Sequence, residues 1–207
     1  MDPLQPWSLG FGACGPGDTG IQKHRDEGRR LFGLDPAGYR AGRPDYPEAI
    51  YEELVQRCGL GPTTRVLEIG PGTGLVTRRL LRQCAHVTAV EPDRSMASYL
   101  SDTADAANLD VVIASFEEAD ITDDNFDLAV AANSFHWVNQ EVGLTKLGKV
   151  LRPGGWVALW WTLFRDPDQP DEFSQALDHV LGSVTPGAFD EPGRPHSSLT
   201  SRIDGAT

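Results

Sequence analysis

The chain has 207 residues, of which 40% are hydrophobic, and this is enough apolar material for one sizeable core. Its formal net charge of −12, with 30 acidic against 18 basic side chains, argues against broad nucleic-acid binding and against anionic membrane surfaces. No apolar stretch approaches the ~20 residues of a membrane span, and the three cysteines form no C-x-x-C pair, so we predict a cytoplasmic protein without disulfide or zinc framework.

The first sixty residues are predicted to precede the main domain. Residues 1–20 are rich in glycine and proline and have no periodicity, which predicts a disordered leader. Residues 21–60 form a helical segment, basic in its first half. A helix is predicted to begin near Asp45, because Asp45 and Glu48 have capping-box spacing and Pro47 fits a first turn. Gly59 is predicted to end this helix.

From residue 61 to residue 185 the pattern alternates between short apolar strands and amphipathic helices. Strands are predicted at 65–69, 86–90, 110–114, 126–132 and 156–162. Helices are predicted at 75–83, at 93–100, from about 142 to 151, and at 171–181. Strands this uniformly apolar predict an α/β fold, namely a Rossmann-like, doubly wound, mostly parallel sheet in three αβα layers. Residues 186–207 are again rich in turn formers and predict an irregular tail.

The most informative stretch follows the first predicted strand. Three glycines alternate in Glu68-x-Gly70-x-Gly72-x-Gly74, with an acid two residues before the first. In a parallel sheet, ligands bind at the carboxyl ends of the strands, and glycines there let a ligand approach the backbone closely. A strand-to-helix turn can need one or two glycines for geometry alone, but this pattern favours a ligand-binding loop.

The spacing of these glycines limits the class of ligand. The dinucleotide fingerprint G-x-G-x-x-G/A fails, since its third glycine would fall on Leu75 or on Thr77. No lysine follows the glycines, so the loop is not a nucleotide-triphosphate phosphate loop. A ligand without a pyrophosphate fits better. Glu91 ends the second predicted strand, where an acid can accept hydrogen bonds from both hydroxyls of a ribose; the alternative is a plain acid at a helix N-terminus.

Five segments in order resemble motifs of the class I S-adenosylmethionine-dependent methyltransferases. The resemblance is to the group with the methyltransferase type 11 domain, which includes trans-aconitate methyltransferase-like proteins, and it runs from about Tyr39 to Phe173. The segments are the glycine loop, Glu91, Ala114-Ser115-Phe116-Glu117, the strand at 126–130 with Asn133-Ser134-Phe135-His136-Trp137, and Leu151-Arg152-Pro153-Gly154-Gly155. Upstream, Tyr39-Arg40-x-x-Arg43-Pro44-x-Tyr46-Pro47 is similar to the lid segment of many members.

This resemblance implies S-adenosylmethionine as the cofactor, S-adenosylhomocysteine as its product, and a small molecule as the methyl acceptor. The cofactor-binding residues that it implies are Glu68, Gly70, Gly72, Gly74, Glu91, Ser115, Phe116, Glu117, Asn133, Tyr39 and Arg43. For Tyr39 and Arg43, which could reach the cofactor's carboxylate from the lid, the alternative is a solvated basic face. Methyl transfer is an in-line displacement that needs no metal, so holding the nucleophile in near-attack geometry supplies most of the catalysis.

The substrate pocket is predicted from aromatic side chains near the ends of the fourth and fifth strands. Phe135, Trp137 and Trp161 are the candidates, since aromatic faces attract a sulfonium cation, with core packing as the alternative. His136 is the candidate catalytic residue, because its ordinary pKa suits a general base, although substrate positioning is the commoner role for a lone histidine.

Two departures from the family are visible in the sequence. The segment after strand four lacks the N-P-P-[YFW] motif of adenine methyltransferases, which argues against that chemistry. Only 26 residues follow Leu181, so the last one or two strands of the family sheet are predicted to be missing. Either the chain is a truncated form or a partner, such as a homodimer mate, covers the edge of strand five. The alternative function is therefore a catalytically impaired cofactor-binding protein that acts through a partner; a nicotinamide-dependent oxidoreductase and a nucleic-acid methyltransferase are more distant alternatives.

Overall fold

The computed structural model describes residues 33–162, apart from 85, 105 and 123–124, together with residues 172, 175 and 176. Two helices precede the sheet, α1 (Pro36–Gly42) and α2 (Glu48–Cys58). The remaining elements, in chain order, are β1 (Arg65–Ile69), α3 (Thr77–Leu80), β2 (His86–Val90), α4 (Arg94–Ala104), β3 (Leu109–Val112), β4 (Phe126–Ala132), a 3-10 turn (Phe135–Trp137), α5 (Gln140–Val150) and β5 (Leu151–Trp160).

The five strands form one sheet in the order β3-β2-β1-β4-β5, and every pairing among them is parallel. The predicted Rossmann-like, doubly wound α/β fold is therefore confirmed. The chain winds outward from β1 in one direction through β2 and β3, and in the other through β4 and β5. The carboxyl ends of β1 and β4 are thus neighbours at the point where the strand order reverses, and crevices for ligands form there in this class of fold.

Apolar side chains cover both faces of the sheet, because successive residues of a strand point to opposite faces. Val66 lies in one core cluster with residues of α2, α3 and α4. Leu67 lies in the other, which contains Leu147 and Val150 of α5. Both Val66 and Leu67 are completely buried. The strands β1 and β4 are apolar along most of their length because both of their faces are covered, and this is why their boundaries were predictable.

Several elements differ from the sequence prediction, among them β3, which ends at Val112 rather than at residue 114. Helix α2 starts at Glu48, after Pro47, and the capping-box prediction for Asp45 is wrong: the Asp45 carboxylate accepts the Tyr46 amide (2.8 Å) and the Tyr51 hydroxyl (3.4 Å). Helix α3 is a short helix flanked by turns on both sides rather than spanning 75–83. The last strand begins at Leu151, so it includes the predicted helix stop, and Gly154 adopts a positive φ of 81° inside it.

Several predictions fall outside the described residues. These are the leader at 1–20, the tail at 186–207, and most of the helix at 171–181, of which residues 172, 175 and 176 are described and helical. Within the described ranges the sheet ends at β5, so the missing-strand prediction stays a prediction. None of the helices in that part of the chain is long and apolar enough to cross a bilayer, and no group of three potential metal ligands occurs among the same residues.

Candidate functional site

A cleft opens at the carboxyl ends of β1 and β4, where the topology places a ligand crevice. About 490 Å³ of empty space lies within it, a figure that includes open solvent at its mouth. Six of the predicted cofactor residues line it, from three parts of the chain: Tyr39, Arg43, Glu68, Gly70, Gly72 and Asn133. The protein's own side chains leave this crevice open.

All three glycines of the loop after β1 adopt positive φ angles, of 65° at Gly70, 56° at Gly72 and 81° at Gly74. Residues with a Cβ rarely adopt this conformation, so the loop depends on glycine. The atoms around Gly70 and Gly72 show that these two glycines have different roles. A Cβ on Gly70 would lie 2.6 Å from the Ser134 Cβ, whereas a Cβ on Gly72 would meet nothing within 4 Å. Gly70 therefore permits packing against the end of β4, and Gly72 presents bare backbone to open space.

Glu68 is a buried acidic side chain that borders the cleft. Its side chain is 2% exposed, and its Oε2 atom has no hydrogen-bond partner. Burial is the largest cause that raises the pKa of Glu68 to about 7, and the charge of Glu91 raises it further, while Thr77 and Arg78 oppose the shift. A buried polar atom without a partner is costly. Because Glu68 also borders the cleft, its carboxyl group is a candidate for contact with a ligand there.

Glu91 faces the glycine loop. Its Oε2 accepts the Gly72 amide and its Oε1 accepts the Asp93 amide, both at 2.9 Å. The side chain is 6% exposed. Helix capping, the alternative considered for Glu91, falls instead to Asp93, whose Oδ1 accepts the amides of Ser95 (2.9 Å) and Met96 (3.0 Å) at the start of α4. The carboxylate of Glu91 is thus fixed beside the open backbone of Gly72.

The segment from α1 to Tyr46 forms one wall of the cleft. Arg43 lies with its guanidinium carbon 5.1 Å from the centre of the Tyr39 ring, and both side chains face the cleft. Tyr46 connects this segment to β4, because its hydroxyl accepts a hydrogen bond from the Asn133 amide nitrogen at 2.9 Å. Asn133 has a positive φ of 53°, which is unusual for a residue with a side chain.

The loop after β3 holds three of the predicted cofactor residues but does not line the cleft. Ser115 donates its hydroxyl to Glu118 at 2.9 Å, and a Glu117 carboxylate oxygen accepts the Asn139 amide at 2.6 Å. The Phe116 side chain is 3% exposed and belongs to the core beside α5. The side chain of Phe116 is therefore not available to a ligand.

The predicted substrate residues separate into a core residue, Phe135, a half-buried one, Trp137, and two exposed ones, His136 and Trp161. Phe135 is 4% exposed and packs in the core, the alternative left open for it. His136 is exposed, and its ring centre lies 4.9 Å from that of Trp137. The Trp161 indole N–H donates to the His136 Nδ1 at 3.2 Å, so the neutral imidazole carries its own proton on Nε2. These three rings lie just beyond the ends of β4 and β5.

Two residues of the site have contacts that the sequence does not predict, Tyr46 and Ser134. Tyr46 lines the cleft and contacts Asn133, and its ring meets Trp160 edge to face at 5.7 Å. Ser134 donates its hydroxyl to the Ile69 carbonyl and packs on Gly70. Both residues contact segments that are distant in sequence, and the spacing of residues along the chain does not predict such contacts.

Comparison with known proteins decides the family. Residues 67–159 match the family model described as a methyltransferase domain. An uncharacterized methyltransferase of Schizosaccharomyces pombe is 33% identical over 156 residues, which are 74% of this chain and 61% of the relative. The chain belongs to the family of class I S-adenosylmethionine-dependent methyltransferases. These matches support the broad family and do not single out its trans-aconitate-like group.

Solved structures share the methyltransferase fold. Phosphoethanolamine N-methyltransferase 1 of Haemonchus contortus, solved with phosphoethanolamine and S-adenosylhomocysteine, has a TM-score of 0.54 at 14% identity, covering 67% of this chain and 31% of that one. The [4+2]-cyclase SpnF has a TM-score of 0.55 at 19% identity, covering 64% and 59%. Since this methyltransferase fold also occurs in a protein named for a cyclisation, the reaction has to be argued from the site.

Proposed function

We propose that this chain transfers a methyl group from S-adenosylmethionine to a small-molecule acceptor. The observation that carries the proposal is the buried Glu68 carboxylate, with its unpartnered Oε2, in the wall of a cleft bordered by the bare backbone of Gly72. The chain spans about three-fifths of the length of its S. pombe relative. The proposal therefore concerns this domain, and it specifies the acceptor only as a small molecule.

The residues of the cleft fit the two charged ends of the cofactor's amino-acid part. Glu68 would accept the ammonium group, which supplies the donor that its Oε2 lacks. Arg43, which also lines the cleft, would bind the carboxylate, with Tyr39 against its guanidinium. An acidic and a basic side chain in one cleft would orient the amino-acid part of the cofactor in one direction.

The ribose would lie between the glycine loop and Glu91. The Gly72 amide fixes one oxygen of the Glu91 carboxylate at 2.9 Å, so the group is already oriented when a ligand arrives. A carboxylate accepts several hydrogen bonds, and Glu91 would accept those of the ribose hydroxyls. The adenine is proposed to lie by the loop at residues 115–117, contacted by its backbone, since the Phe116 side chain is in the core.

The bound cofactor supplies an electrophilic methyl group on a sulfonium. The residues of the chain position the acceptor relative to that methyl group. His136, Trp137 and Trp161 are proposed to hold the acceptor against it. With its Nδ1 accepting from Trp161, His136 presents an Nε2–H donor, which favours positioning of the acceptor over proton abstraction. Catalysis by approximation, which needs reacting atoms held at near-attack distance, fits such a site.

Turnover tests this proposal directly. The purified chain, incubated with S-adenosylmethionine and a panel of small hydroxyl, carboxyl and amine acceptors, is expected to release S-adenosylhomocysteine with at least one of them. The match to methyltransferases does not favour the alternative of a cofactor-binding protein without catalysis. That alternative predicts saturable binding of S-adenosylhomocysteine with no release above the acceptor-free control for any member of the panel.

The predicted homodimer over β5 stays a prediction. On the described residues β5 is an edge strand that exposes two large apolar side chains, Trp156 at 49% and Val157 at 39%. Edge strands with apolar side chains are pairing surfaces. Light scattering of the purified chain is expected to give the mass of two chains, and Trp156→Lys is expected to give the mass of one; a monomeric wild type would contradict the dimer.

A further inference from the structure

We propose that Arg78 is a positioning residue for the cofactor: its guanidinium holds the glycine loop in the conformation that the ligand needs. The inference rests on the proposed function, because it concerns the affinity of the same cleft. Arg78 lies on α3, just after the loop, and it carried no role in the sequence pattern.

The guanidinium of Arg78 contacts the loop at two successive carbonyls. Its Nη1 donates to the Thr73 oxygen at 2.6 Å and to the Gly74 oxygen at 2.8 Å. Its Nη2 donates to the Thr103 hydroxyl on α4 at 2.5 Å. The planar fork of an arginine fixes its donors relative to each other. One side chain therefore sets the direction of two loop carbonyls and joins the loop to a neighbouring helix.

The third glycine of the loop makes room for this contact. A Cβ on Gly74 would lie 3.1 Å from the Arg78 Nη1 and 2.3 Å from the Leu100 Cδ1. Gly74 is thus required by packing and by the approach of Arg78, besides its φ of 81°. Gly72, whose Cβ would enter open space, remains the position where the backbone itself faces the cleft.

An acidic and a basic side chain both hold the glycine loop: one binds a backbone amide, and the other binds backbone carbonyls. The carboxylate of Glu91 accepts the Gly72 amide, while the guanidinium of Arg78 donates to the carbonyls of Thr73 and Gly74. Hydrogen bonds with one charged partner are stronger than neutral ones. Rotation of the Gly72–Gly74 peptides would break bonds on both sides, so the open backbone of Gly72 is held before a ligand binds, which lowers the cost of ordering the loop on binding.

The next residue along the helix provides a matched control. Arg79 pairs with Glu48 on α2 and lies with its guanidinium carbon 4.6 Å from the centre of the Tyr51 ring. Removing Arg79 deletes an arginine from the same helix, together with its ion pair to Glu48 and its contact with the Tyr51 ring. The hydrogen bonds from Arg78 to the loop stay in place. A general structural effect of losing an arginine from α3 would therefore be the same in both variants.

The experiment compares Arg78→Ala, Arg78→Lys, Thr103→Val and Arg79→Ala by titration calorimetry with S-adenosylhomocysteine, alongside thermal unfolding and amide hydrogen exchange of residues 72–75. We expect Arg78→Ala to weaken binding by about tenfold or more, the loss typical of charge-assisted hydrogen bonds, and to speed exchange in the loop. Thr103→Val is expected to weaken binding by less, and Arg78→Lys to recover part of the loss. Arg79→Ala should lower the unfolding temperature without changing affinity.

Equal affinity in the Arg78→Ala and Arg79→Ala variants would overturn the inference while leaving the proposed function intact. If Arg78→Ala does not fold, Arg78→Lys and Thr103→Val decide, and wild-type affinity with unchanged loop exchange in both overturns it. Failure of the wild-type chain to bind S-adenosylhomocysteine is a distinct result, since it removes the proposed function itself and the role of Arg78 with it.

Discussion

Glu91 at the end of β2 accepts the amide of Gly72 at 2.9 Å, so the second strand of the sheet fixes the loop that follows the first. The bond joins the two features that the sequence analysis treated as independent halves of a nucleoside site. It makes the carboxylate both an orienting group for the loop and a candidate acceptor for ribose. Removing it should therefore affect binding in two ways.

Glu91→Ala is expected to weaken S-adenosylhomocysteine binding by about 1–3 kcal/mol, the usual loss when a charged hydrogen-bond partner is removed. Asp93→Ala is the matched control, because Asp93 caps α4 through Ser95 and Met96. Loss of that cap lowers stability by about 1 kcal/mol and should leave affinity unchanged. Calorimetry and urea unfolding of both variants separate the two effects. Wild-type affinity in Glu91→Ala would contradict the proposed ribose contact.

The glycines of the loop should differ in what their substitution costs. Gly72→Val places its side chain in open space, and we expect a loss of about 1–3 kcal/mol in stability from its positive φ together with loss of cofactor binding. Gly70→Ala forces its Cβ against Ser134 at 2.6 Å and is expected to be the less stable of the two. Circular dichroism and thermal unfolding measure stability, and calorimetry measures binding. A folded Gly72→Val variant with wild-type affinity would make this loop purely structural.

Glu68 should make the stability of the protein depend on pH. Burial raises the pKa of Glu68 in the folded chain to about 7 from an ordinary value of 4.5. Between these two pH values the folded chain keeps a proton that the unfolded chain has lost, so the contribution of Glu68 to stability is complete below pH 4.5 and is lost as the pH rises through 7. The loss amounts to about 3 kcal/mol.

Urea unfolding of the wild type and of Glu68→Gln at several pH values measures this loss, because glutamine does not titrate. The variant should gain about 3 kcal/mol relative to the wild type between mildly acidic and mildly alkaline pH. Other carboxyl groups titrate in both proteins and cancel in the comparison. Parallel pH profiles would show that the buried carboxyl does not have the raised pKa.

The same carboxyl should release a proton when the cofactor binds. An ammonium group next to Glu68 favours the ionised carboxylate, which lowers its pKa. At a pH below 7, S-adenosylhomocysteine binding is expected to release up to about one proton per chain from the wild type and none from Glu68→Gln. Calorimetry in two buffers with different enthalpies of ionisation measures the number of protons released. Equal proton release from both proteins would show that the ammonium group does not bind next to Glu68.

His136 and Trp161 should affect the acceptor rather than the cofactor. Trp161→Phe removes the donor to the His136 Nδ1, so we expect the KM for the acceptor to rise severalfold with little change in S-adenosylhomocysteine affinity. His136→Gln retains a hydrogen-bond donor and should keep most of kcat if the residue positions the acceptor. A loss of kcat of about a hundredfold or more in His136→Gln, with KM unchanged, would instead identify a general base.

The sheet was the most predictable part of the structure. The bounds of β1, β2 and β4 agree with their predictions, because runs of valine, leucine, isoleucine and alanine buried on both faces leave little ambiguity. Asp45 and β5 were less predictable. The carboxylate of Asp45 binds Tyr46 and Tyr51. The glycines before Trp156 predict a helix stop, but in the structure they belong to the strand.

The parts of the candidate site that depend on backbone geometry were predictable from the sequence. The parts that depend on side-chain packing were less predictable. The glycine pattern and Glu91 follow from the requirements of a loop at a strand end, and the cleft contains or adjoins them. Phe116 and Phe135 lie in motifs that resemble the family's, yet their side chains pack in the core. A motif does not record which way an aromatic ring points. The partners of Tyr46 and Arg78 depend on tertiary contacts that spacing cannot reveal.

Titration calorimetry of the wild-type chain with S-adenosylhomocysteine tests the central claim most directly, with NADH as the comparison ligand. The account predicts saturable binding of one S-adenosylhomocysteine per chain and no heat from NADH, since the glycine spacing and the Glu68 carboxylate suit an amino-acid-bearing nucleoside without a pyrophosphate. No saturable heat at millimolar S-adenosylhomocysteine, or saturable binding of NADH in its place, would contradict it.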